Sequence, residues 1–77
     1  MSYWWLSFVD NRRPQGQRFL GATIVVAADV KDAVQEARRL GINPGGEVSL
    51  IEFPAAVPPN PNWVNRLVSR AELNMAR

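Results

Sequence analysis

The sequence predicts an α+β fold: a three-stranded antiparallel sheet in spatial order 2-1-3, built in the chain order ββαβα, with one helix on one face. Three observations lead there. Two runs rich in aromatic and β-branched residues flank a polar segment holding Pro14 and Gly16, the pattern of a long hairpin. A stretch with apolar residues at helical spacing follows. A short third run then ends at Pro54. A right-handed crossover through the helix sets the third strand beside the first.

Residues 3–9 (YWWLSFV) read as the first strand, 10–18 (DNRRPQGQR) as the loop and 19–28 (FLGATIVVAA) as the second strand. Gly21 inside that strand points to a bulge or to a close backbone approach. Asp29 suits the N-cap of the first helix, whose apolar positions are Val30, Ala33, Val34, Ala37 and Leu40. Arg38 and Arg39 fall in its last turn, where the helix dipole favours cations. Gly41 and Ile42 suit a Schellman ending. Residues 43–46 turn the chain into the third strand, 47–53. The organisation is thus a ββαβ core over 1–53, a Pro-rich connector over 54–62, and a C-terminal amphipathic helix over 63–77. The connector holds four of the six prolines and reads as a stiff, extended segment. The last helix is capped by Asn60 or Asn62, with Trp63, Leu67 and Ala71 in one stripe and Arg66, Arg70 and Arg77 on the other side.

The most apolar strand, the first, belongs at the centre. Trp4, Leu6 and Phe8, with Leu20, Ile24 and Val26, are expected beneath the first helix. Tyr3, Trp5, Val9 and Phe19, with Phe53 or Ile51, form the opposite face. That second face needs a cover, either the chain's own C-terminal helix, with Trp63 on Trp5, or another chain.

At 77 residues the chain holds one domain. It has no cysteine and no histidine, which removes disulfides, thiolate nucleophiles, the common zinc ligands and the commonest general base. Asp10, Glu47 and Glu52 lie near strand ends without a helper group, and the serines have no base. We therefore expect no enzyme, no cofactor and no metal. Gly41, Gly45 and Gly46 lack the Lys-Ser/Thr of a phosphate-binding loop and read as turn residues. The net charge is +2, with nine scattered basic residues. The apolar N-terminus has no basic flank and is cut short by Asp10, so neither a signal peptide nor a membrane span is expected, and the cytoplasm is the expected compartment.

The segments YWWLSFVD, FLGATIVVA and LGINPGGEV, spread over about residues 3–53, resemble an uncharacterised family of short single-domain bacterial and phage proteins. The resemblance implies a stand-alone domain and carries no activity, ligand or site residue.

With chemistry set aside, the sequence points to a small protein-interaction module, acting by occlusion of a partner or as a homodimer. Tyr3, Trp5, Phe19, Trp63 and Leu67 are the expected anchors, with Arg66 and Arg70 as flanking charges, since aromatic residues and Arg dominate interface energetics. A phage-type inhibitor of a host protein is one version of that reading. The alternative is a nucleic-acid or nucleotide-binding accessory protein, using Arg12, Arg13 and Arg18 of the hairpin loop beside aromatic platforms.

Overall fold

The computed structural model describes residues 1–75. Its elements are β1 (Ser2–Val9), β2 (Phe19–Ala27), α1 (Val30–Arg39), β3 (Glu47–Glu52), a 3₁₀ turn (Pro61–Trp63) and α2 (Arg70–Met75). The sheet runs β2-β1-β3 with both pairings antiparallel, the predicted α+β arrangement. Central β1 alternates strictly: Trp4, Leu6 and Phe8 are buried, and the residues between them less so. Trp4, Leu6 and Phe8 share one core with Val25, Ala27, Ala33 and Ala37. Burying the larger of these side chains, such as Leu6, Phe8 and Val25, contributes about 1.5–3 kcal/mol each. The Trp4 indole is satisfied in that core by donating to the Ala27 carbonyl at 3.0 Å.

The expectation for β2 is half corrected. Leu20 does pack beneath α1, but Thr23 and Val25 share that face, whereas Ile24 and Val26 lie on the opposite one. The cause is a bulge: Phe8 pairs with Gly21 and Val9 with Phe19, so Leu20 is an extra residue. One extra residue reverses the side-chain alternation beyond it. Gly21 makes this possible with a φ of +145°.

The ends of α1 follow their capping chemistry. Asp29 accepts from the Asp32 N–H at 2.9 Å. At the other end the Ile42 N–H donates to the Ala37 carbonyl and the Gly41 N–H to Arg38, the paired bonds of a Schellman motif. Only Ala33 and Ala37 of this helix are buried, and Val30 is half exposed. Small side chains bring α1 close to the sheet, and β1 supplies the bulk of the core.

The C-terminal region departs most from expectation. Instead of a helix over 63–77, the chain makes the 3₁₀ turn, runs extended past β2, and becomes helical only from Arg70. Asn60 caps the turn as anticipated, with Pro61 at its first position. Ala76 and Arg77, the end of the expected helix, lie outside the described residues. The physical reason is competition for backbone partners. Val64 and Val68 are β-branched, hence weak helix formers. The outer edge of β2 meanwhile offers unpaired N–H and C=O groups: Ala22 and Val68 exchange both hydrogen bonds, at 2.9 and 2.7 Å, and the Asn65 N–H donates to Ile24 at 2.8 Å. Asn65 takes a φ of +58°, a left-handed conformation Asn tolerates.

Candidate interaction surface

Residues 61–75 act as a strap on the β2 side of the sheet. Trp63 lies against Trp5 with ring centroids 5.8 Å apart and planes tilted by 56°. Val68 is fully buried. Leu67 reaches the helix side of the sheet, where its Cδ1 lies 2.7 Å from where a Cβ on Gly21 would stand. Gly21 thus serves both the bulge and this close approach. Arg70 stacks over the Phe19 ring, 5.7 Å from its centroid, and donates to the Gly16 carbonyl of the hairpin loop at 3.2 Å. Arg66 donates to the Asn62 carbonyl and pairs with Glu72, tying the 3₁₀ turn to α2.

Four of the seven residues expected to meet a partner, namely Trp5, Phe19, Trp63 and Arg70, are therefore engaged with one another in pairs within the chain, while Leu67, expected beside them, packs on the helix side instead. Arg66 is also engaged internally. Tyr3 is 41% exposed, and the Arg66 and Arg70 side chains, though engaged, are exposed as well. The strap covers only part of the second face. Along the row Ile24–Trp5–Ile51, accessibility rises from none at β2, through half-buried Trp5, to 65% at Ile51 on β3. In the next row, Ala22 is buried while Ser49 is exposed.

The β3 side also has an open edge. The Phe53 N–H donates to the Tyr3 carbonyl. Antiparallel ladders alternate bonded and non-bonded pairs, so Ile51, Ser49 and Glu47 bond inward to β1. Val48, Leu50 and Glu52 consequently direct their N–H and C=O groups outward, and among the described residues nothing pairs with them. Glu47 and Glu52 close the two ends of this strand, and neither carboxylate has an ion-pair partner among the described residues. Past Glu52, a groove of about 690 Å³ opens between Tyr3, Phe53, Pro54, Val57 and Pro58. Among the described residues, Tyr3 and Glu52 are the ionisable side chains that line it.

The hairpin loop gathers Arg12, Arg13 and Arg18, but around the loop's own acceptors. Arg12 donates to the Asp10 carboxylate through its backbone N–H at 3.0 Å and its Nε at 3.1 Å. Arg13 stands 3.8 Å from the same carboxylate, and Arg18 donates to the Arg13 carbonyl at 2.9 Å. The Arg12 side-chain hydrogen bond holds the Asp10 carboxyl below its ordinary pKa, helped by the Arg12 N–H. On α1, Arg39 lowers that of Glu36 in the same way. Among the described residues no three carboxylates gather to hold a metal ion. No described helix is long and apolar enough to cross a membrane.

Comparison with family models, with curated proteins and with solved structures found no match. The geometry alone therefore carries the functional reading. Ile51 belongs to the second face as the sequence suggests, with Phe53 as the alternative there, but the edge formed with Val48 and Leu50 is not evident from sequence as a surface. One signal could have found it. The strand reads EVSLIE, an apolar run with an acid at each end, which is how exposed edge strands guard themselves.

Proposed function

We propose that the protein is a small protein-interaction module whose contact surface is the half of the sheet left open by its own strap. The observation that supports this is the gradient across the second face in the rows through Trp5 and Ser7: there Ile24 and Ala22 of β2 are closed by residues 61–75, while β3 presents Ile51 and an unpaired strand edge, and the row of Val26 and Tyr3 is open as well. Apolar side chains beside open backbone groups form a surface that gains from being covered. Of the aromatic residues expected to bind a partner, Trp5, Phe19 and Trp63 contact one another or the strap, so the proposed contact region keeps Tyr3 and shifts from Phe19 and Trp63 to β3. The nucleic-acid alternative draws less support, because Arg12 and Arg13 share the Asp10 carboxylate rather than converging on open space.

A photo-crosslinking side chain placed at Ile51, and separately at Gln15 in the hairpin loop, tests the reading in cells of the native host. We expect protein adducts from position 51 and few from position 15. Equal yields at both, or none at 51, would remove the reading.

A further inference from the structure

Resting on that reading, we propose that the partner adds an extended strand to the β3 edge, antiparallel to it, and that this strand carries a basic residue at each end of a six-residue stretch. The open edge sets the mode of docking. Val48, Leu50 and Glu52 offer three outward-facing rungs, bounded by the turn at Gly46 and by Pro54, which ends the strand. A strand laid against them meets Val48 and Leu50 on the helix side and Ile51 on the other, so apolar residues are favoured opposite those three. Ser49 asks for a small polar residue. Glu47 and Glu52 flank the stretch, five positions apart and thus on opposite faces of the sheet. Each stands exposed with no ion-pair partner among the described residues. An added strand with Lys or Arg opposite each acid satisfies both.

The same features disfavour a second copy of the chain. Outward-facing residues must pair with outward-facing residues. A β3–β3 ladder is therefore forced into registers such as Leu50 opposite Leu50, where Glu52 meets Val48 and Glu47 meets Phe53. Four carboxylates would then surround one small interface, with no Lys or Arg on either strand to offset them. Charges that deter self-pairing also select for a basic strand.

The probe is a blocked peptide, Lys-Val-Val-Thr-Val-Lys, with a control whose lysines are replaced by glutamate. Amide hydrogen exchange on the full chain reads the result. In the free protein the N–H groups of Val48, Leu50 and Glu52 should exchange fast and those of Ser49, Ile51 and Phe53 slowly. The lysine-ended peptide should slow the first three. Its affinity should exceed that of the control by on the order of tenfold at low salt, a gap that narrows as salt rises. Glu47→Lys combined with Glu52→Lys, both exposed and harmless to the core, should reverse the preference. Equal protection by both peptides would overturn the basic partner while leaving the open surface as the contact region. No protection by either peptide would overturn both. A dimer showing the same protection without peptide, and persisting in the double-lysine variant, would name a second copy as the occupant and overturn the proposal.

Discussion

The two edges of this sheet are treated in opposite ways. At β2, the chain returns on itself: Val68 and Asn65 bond the exposed backbone of Ala22 and Ile24, while Trp63 and Leu67 clamp the sheet from its two faces. At β3, nothing described returns, and protection is left to Glu47, Glu52 and Pro54. The first solution is intramolecular, made of hydrogen bonds and packing within one chain, and it suits an edge flanked by large apolar residues. The second only discourages unsuitable partners. An edge guarded by charge stays available to a strand of the right charge.

If that contrast is sound, substitutions on the two sides should differ greatly in effect. Val68→Asp puts a carboxylate where no solvent reaches, beside two backbone hydrogen bonds. It should cost more than about 4 kcal/mol, a large part of what a domain of this size possesses. A thermal melt followed by tryptophan fluorescence would show this, and an unchanged melting temperature would mean that the strap adds little. Ile51→Lys, at the open edge, should instead change stability by no more than about 0.5 kcal/mol, because the side chain is already 65% exposed. A loss several times larger in denaturant titration would show that the β3 face is part of the core.

The smallest effect concerns the hairpin loop, which joins the two strands beside the strap. Asp10 has a lowered pKa in the folded chain, first through its Arg12 side-chain bond. A depressed carboxyl pKa stabilises the fold above the ordinary carboxylate range, and the contribution disappears as pH falls through the folded value. Because the pair is exposed, screening keeps this contribution small. Asp10→Asn should therefore lower the denaturation midpoint slightly at neutral pH, and the two proteins should converge in acid. A gap that widened in acid would contradict the assignment.

The sheet was legible from sequence because β1, β2 and β3 are marked by β-branched and aromatic runs and bounded by unambiguous turn residues. The caps of α1 were legible too, since Asp29 and Gly41 can do little else at those positions. Two features were not. The bulge at Gly21 was anticipated, but the resulting exchange of faces at Ile24 and Val26 depends on which residue is extra, and β1 decides that by pairing. The strap was read as a helix because Trp63, Leu67 and Ala71 recur at helical spacing. Periodicity cannot weigh an intrachain helix bond against a bond to a distant strand, and here Val64 and Val68 tip that balance toward β2. The candidate surface was hidden for the same reason: it is whatever the strap fails to cover.

The pairing of Val68 with Ala22 also sets an order in time. A chain made from its N-terminus presents β2 well before the residues that close its edge, with all of α1 and β3 added in between. Until residues 61–75 dock, Ala22 and Ile24 stand unpaired beside the apolar side chains of Trp5 and Phe19. The mature protein exposes its acid-guarded edge, whereas the nascent one exposes the unguarded edge. Yield on expression should depend on how quickly residues 61–75 dock on β2 once they are made.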